Sequence, residues 1–153
     1  MTVDVVTTVT VRQPRDLVAV YAANPDNAPA WYRNIKSVGW KTSPPLRVGS
    51  LVTFVAHFLG RRLTYTYEIT ELVPGERLVM RTAEGPFPME TTYTWEGSAD
   101  GGTLMTLRNR GMPAGFSRVA APFMAYAMRR ANRADLALLK KLLEQRVNQP
   151  GAR

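Results

Sequence analysis

The strongest constraint on this chain is a change of hydrophobic period. From Leu51 to Arg110 it reads as strand-rich blocks, LVTFVAHFLGRRLTYTYEITELV, RLVMRT, METTYTWE and TLMTLRNR, in which apolar and polar residues alternate. From Ala114 to Val147 the period lengthens to about 3.6 residues, that of an α-helix. A meander of antiparallel strands closed by one long amphipathic helix has a concave face to cover, and the two together can enclose a cavity. A cavity implies a ligand.

The corner Phe58-Leu59-Gly60-Arg61 sets the register of the first long hairpin. Gly60 suits a two-residue loop, which pairs even-numbered residues before the turn with odd-numbered residues after it. Val52, Phe54, Ala56 and Phe58 then share a face with Leu63, Tyr65, Tyr67 and Ile69. Thr53, Val55, His57, Thr64, Thr66 and Glu68 fall on the opposite, largely polar face. The same parity continues the apolar face through Leu78 and Met80, through Thr91, Tyr93 and Trp95, and through Met105, Leu107 and Asn109. Arg81, Glu90 and Glu96 are expected to face outward.

Upstream, Thr2 to Val11 alternates as a half-buried strand should. Pro14 signals a helix start, with a short helix from Asp16 to Tyr21; Asn24-Pro25-Asp26 breaks it. A second short helix or turn spans Ala28 to Asn34, and Ser37 to Thr42 reads as a short strand ended by Pro44-Pro45. In the last segment Phe116, Ala120, Phe123, Met124, Ala127, Ala131, Ala134 and Leu138 are expected on the inner side, with Arg118, Arg129, Arg133 and Lys140 opposite. Pro122 either kinks this helix or marks where its continuous part begins. The alanines let a helix approach a sheet or leave space beside it.

Composition removes several classes of chemistry. Cysteine is absent and His57 is the one histidine, which excludes thiolate nucleophiles, disulfides and multi-histidine metal sites. No metal and no cofactor are expected. The formal charge of +8 reads as a solvated basic helix face, since no nucleic-acid motif or phosphate loop accompanies it, and no nucleic-acid partner is expected. No apolar run approaches the roughly 18–20 residues that span a bilayer, so a cytoplasmic location is the default and membrane contact is not expected. One domain over 1–147 with a disordered tail at 148–153 is the simplest organisation.

The order of the N-terminal strand, PRDLVAVYAANPDNAPAWYRNI, VGSLVTFVAHFLGRRLTYTYEITELVPGERLVMRT, DGGTLMTLRNRG and MRRANRADLALLKKLLE resembles the START/Bet v 1-like (SRPBCC) superfamily, in its bacterial polyketide cyclase/dehydrase and lipid-transport branch. The resemblance covers roughly Thr2 to Val147. It implies an α+β helix-grip fold: a curved antiparallel sheet wrapped around a long C-terminal helix, with two short helices after the first strand and a cavity between sheet and helix. No catalytic set is carried over from it.

The residues expected to contact a ligand are Trp31, Phe54, Phe58, Tyr65, Tyr67, Met80, Tyr93, Trp95, Met105, Asn109, Phe116, Phe123, Met124, Ala127 and Ala131. A buried phenol must satisfy its hydroxyl and can bind a ligand carbonyl or act as an acid, although wall tyrosines are more often bonded to backbone or water. The indole and phenyl rings can stack on a flat polycyclic molecule, or simply be core. Asn109 offers an amide to a ligand or ends its strand. Asp135 sits near the apolar arc, where a lone carboxylate is costly: it is either a cavity acid or, on the plainer reading, paired with a nearby arginine or placed at the helix edge. His57 is set aside as a general base by its outward parity. Binding of a hydrophobic small molecule, lipid or aromatic and polyketide-like, is the function expected. The alternatives are a polyketide cyclase or aromatase using the same cavity, and an interaction module using the basic helix face. The residues do not fix the ligand, the oligomeric state or whether a reaction occurs.

Overall fold

The computed structural model describes residues 3–85, 87–112 and 121–147. Strand β1 (Val3–Val11) is followed by helix α1 (Arg15–Ala23), a 3₁₀ turn (Pro25–Asn27) and the one-turn helix α2 (Ala28–Trp31). Then come β2 (Ile35–Trp40), β3 (Leu51–Phe58), β4 (Arg61–Val73), β5 (Arg77–Glu84), β6 (Met89–Gly97), β7 (Thr103–Gly111) and the long helix α3 (Ala121–Val147). All seven strands form one antiparallel sheet in the order β1-β7-β6-β5-β4-β3-β2. This is the helix-grip fold that the family resemblance implies. The expected tail at 148–153, and Phe116, lie outside the described residues.

The β3–β4 hairpin follows the parity argument. Val52 faces Tyr67, Phe54 faces Tyr65 and Ala56 faces Leu63 across the ladder. The loop is Leu59-Gly60, with φ of 49° and 75°, so both central residues are left-handed as a type I′ turn requires. Val52, Phe54, Ala56, Leu63, Tyr67, Ile69, Leu78, Met80, Tyr93, Trp95, Met105 and Leu107 are all buried on the inner side, while His57 and Arg81 are exposed. Arg81 bonds Glu90 at 2.7 Å on the outer face. Register shifts leave one extra residue on a single strand at three places: Ala83 in β5, Thr70 in β4 and Lys36 in β2. Such bulges bend and twist the strand, which suits the curl of a sheet around a helix.

Helix α3 is held chiefly on β1. Leu136, Leu139 and Leu143, spaced at helical intervals, are essentially inaccessible to solvent, and full burial of a leucine is worth about 1.5–3 kcal/mol. Polar ties fix the slide of helix on strand: Gln13 donates to the Leu143 carbonyl at 2.8 Å, Lys140 to the Thr10 carbonyl at 2.9 Å, and the Arg12 amide to Glu144 at 2.8 Å. Burial alone would push the Glu144 carboxyl up, but the bonds from Lys140 and Arg12 outweigh it and hold it at about 2.

The face that α3 buries differs from the one expected. Met124, Asn132, Asp135, Leu136, Leu139 and Leu143 are buried, whereas Phe123 is 55% exposed and Ala127 and Ala134 are half-buried. The true inner arc is rotated by about one residue step, about 100°, from the arc marked by the alanines. The physical reason lies in Asn132 and Asp135. Two polar residues on the inner face displace any apolar count away from it.

Candidate functional site

Between the concave sheet face and α3 lies a cavity of about 170 Å³. Its walls are overwhelmingly apolar: Val52, Phe54, Ala56, Leu63, Ile69, Leu78 and Met80 from the sheet, Met124, Met128 and Ala131 from α3, and Phe58, Phe87 and Leu46 from turns and strand ends. An apolar cavity of about 150 Å³ takes up one benzene-sized ring, so this space holds a single aromatic ring with little to spare.

Seven of the polar residues of the wall come from four elements. Tyr32 leaves α2, Tyr93 and Thr91 stand on β6, Tyr65 and Tyr67 on β4, and Asn132 and Asp135 lie one turn apart on α3. The hydroxyls of Tyr32 and Tyr93 are hydrogen-bonded to each other. Tyr67 shares a hydrogen bond of 3.1 Å with Thr91, whose hydroxyl donates to the Asn109 side-chain oxygen at 2.8 Å. Asn109, which also lines the wall, ends a chain of hydrogen bonds across β4, β6 and β7. The side-chain nitrogen of Asn132 is buried without a partner among the described residues. A buried, unsatisfied amide costs stability, and a cavity ligand with an oxygen would supply its missing acceptor.

Electrostatics divide these groups into donors and one base. Burial raises the pKa of Tyr32, Tyr65, Tyr67 and Tyr93 above the ordinary phenol value, so all four remain protonated at neutral pH. Burial also pushes the Asp135 carboxyl up to about 6; the backbone amide of Arg33, donating at 3.0 Å, and the Arg33 charge offset only part of that effect. Among the described residues Asp135 forms no side-chain ion pair of the kind the plainer sequence reading offers. It is a nearly inaccessible carboxylate in a cavity wall, hydrogen-bonded among them by the main-chain N–H of Arg33.

Of the residues expected to meet a ligand, Phe54, Phe58, Tyr65, Tyr67, Met80, Tyr93, Asn109, Met124 and Ala131 line this cavity. Trp31 does not. It is wholly buried behind Tyr32, with ring centroids 4.0 Å apart, and serves as core. Met105 is likewise buried core. Trp95 packs edge-on to Tyr93 at 6.0 Å and faces a separate recess. Phe123 and Ala127 are carried off the cavity by the rotation of α3, and Phe116 lies outside the described residues. Sequence reasoning passed over Tyr32, Thr91 and Asn132. Tyr32 sits in a turn with no periodicity to mark it, and Asn132, a polar residue next to Arg133, carries no apolar signal; Asp135 alone carried one, a carboxylate beside the apolar arc.

The family model for polyketide cyclase / dehydrase and lipid transport matches residues 2–144, and the chain belongs to that family. No curated protein matches the sequence. Among solved structures, the chain is similar to the ZhuI aromatase/cyclase from Streptomyces sp. R1128, with a TM-score of 0.81, 19% identity and 100% of both chains covered. It is also similar to a START superfamily protein from Mycobacterium smegmatis (TM-score 0.71, 17% identity, 95% of this chain and 97% of that one). A third likeness is to the ginseng major latex-like protein 151 from Panax ginseng (TM-score 0.69, 14% identity, 94% and 96%). At these identities the likeness is one of fold. No helix among the described residues is long and apolar enough to cross a membrane.

Proposed function

We propose that the protein binds a small apolar molecule that carries an aromatic ring and at least one carbonyl or hydroxyl oxygen. The observation that carries this reading is an apolar cavity with polar groups brought to its wall from several elements, among them four protonated phenols, an unsatisfied amide and a carboxylate. Burying the ring supplies most of the affinity, at about 25 cal/mol per Å² of apolar surface before the cost of association. The hydroxyls and the Asn132 amide set its orientation. Native mass spectrometry of freshly purified protein, followed by denaturation and identification of any released molecule, tests this. A ring-bearing adduct lost in Ala131→Phe supports it. A bare chain that also ignores a panel of small phenols and aryl ketones overturns it.

A second reading is favoured by Asp135. A carboxyl with its acidity near 6, in one wall with protonated phenols, is a base and an acid poised for the same ligand. Asp135 would take a proton from a carbon next to a carbonyl while a phenol of the Tyr32–Tyr93 pair donates to the carbonyl oxygen, giving an enol. That step begins ring closure by aldol addition, and the likeness of fold to an aromatase/cyclase supports it. The check is deuterium exchange at the α-carbon of a bound aryl ketone: loss of exchange in Asp135→Asn with binding retained supports the reading, and equal exchange in both proteins rejects it.

A further inference from the structure

We infer that the binding site has two compartments and that its ligand is elongated, with a ring seated in the inner cavity and an apolar chain running out of it. The inference rests on the inner cavity being a ligand site. A recess of about 370 Å³ lies beside that cavity, and the two share four wall residues: Ala23, Asn24, Pro25 and Leu46. The end of α1, the turn after it and one loop side chain therefore stand in the walls of both.

The two halves of the partition are built differently. The turn is fixed: the Asn24 side chain accepts from the Asp26 amide at 3.0 Å, the Asn27 side chain donates to the Tyr21 carbonyl at 3.1 Å, and Pro25 is buried. Leu46 is not. Half-buried in the connection between β2 and β3, its backbone takes part in no hydrogen bond among the described residues, whereas Arg47, Gly49 and Ser50 beyond it are tied down. Leu46 is the piece that can swing aside.

The recess suits a hydrocarbon chain. Its walls include Pro44, Pro45, Leu72, Pro74 and Trp95, and it reaches the surface at Val20, which is 73% exposed. The Trp40 indole N–H is already bonded to the Asp26 carboxylate at 2.8 Å, which leaves mostly carbon surface to offer. The inner cavity, with space for one ring and polar groups for its oxygen, is too small for such a chain. A head with an oxygen inside and a tail outside uses both compartments and the partition that joins them.

The 4-alkylphenols from phenol to 4-octylphenol test this by isothermal titration calorimetry. The expected result is an affinity that keeps rising with chain length, up to about fourfold per methylene where burial is complete. Val20→Asp places a charge on the recess at an exposed helical position, away from the inner cavity, so phenol binding persists while 4-octylphenol weakens at least about fivefold. A plateau beyond 4-ethylphenol, or an identical rise in Val20→Asp, overturns the two-compartment inference and leaves the cavity reading standing. Failure of every member, phenol included, overturns the cavity reading and this inference with it.

Discussion

Tyr32 and Tyr93 meet hydroxyl to hydroxyl across the cavity wall, 61 residues apart in sequence. Two phenols carry two protons and their mutual bond uses one, so the pair retains one O–H for a ligand. Burial keeps both protonated. The pair is a donor with a fixed address.

Tyr32→Phe and Tyr93→Phe should each lower the unfolding free energy by about 1 kcal/mol, the usual worth of one such hydrogen bond. The double variant should lose less than the sum, with a coupling of about 0.5–1.5 kcal/mol in a urea-unfolding cycle. Strict additivity would mean that the two hydroxyls do not depend on each other.

Asp135→Asn should stabilise the protein above neutrality. The folded carboxyl titrates at about 6 rather than 3.8, so the native state holds the extra proton between those values and its stability falls as pH rises through them. The displacement corresponds to about 3 kcal/mol, present as a penalty above pH 7 and absent below about pH 3.5. Asparagine keeps an oxygen for the Arg33 amide without the charge. The stability difference between variant and wild type, followed from pH 4 to pH 8, should grow from near zero to that size; groups common to both proteins, Glu144 among them, cancel. A flat difference would remove the buried charge from the account.

Ala131→Phe and Ala127→Phe separate the cavity from its surroundings. Ala131 lines it and Ala127 does not, although the two are one turn apart on α3. Binding of phenol, measured by calorimetry, should fall at least about tenfold with the first and stay within about twofold with the second, since a filled apolar cavity has no room to exchange for ligand. Equal losses would place the ligand elsewhere.

Leu59→Asn should raise stability by about 0.5–1 kcal/mol, read as a higher urea midpoint at unchanged slope. Leu59 has φ 49° at an exposed hairpin position, a conformation that asparagine adopts at lower cost. No gain would show that the leucine side chain compensates through contacts on the sheet.

The sheet was legible because its parity is discrete. Once Gly60 places the turn, Val52, Phe54, Tyr65 and Tyr67 have one choice of face, and the ladder follows it. The azimuth of α3 is continuous, and there the reading drifted. Alanines at 127 and 134 are compatible with either side, while Asn132 and Asp135 argue for water when taken one at a time. They point inward and line a cavity rather than a packed core, and that is invisible until Tyr32, Tyr93 and the Arg33 amide are placed beside them. A polar residue in the wrong place was the most useful signal, and it was the easiest to discount.

The placement of β1 bears on how the molecule comes into being. Its strand partner is β7, its Thr7 hydroxyl donates to the Leu107 carbonyl 100 residues away, and its roof is α3, tied to it by Gln13, Thr10 and Arg12. During synthesis from the N-terminus, the strand must wait for nearly all of the chain before it has a neighbour on either side. Until α3 clears the ribosome, the apolar inner face is an open trough, and contacts this distant form late. The container is finished only when its lid is translated, so a nascent chain still lacking α3 exposes the whole apolar inner face to its surroundings.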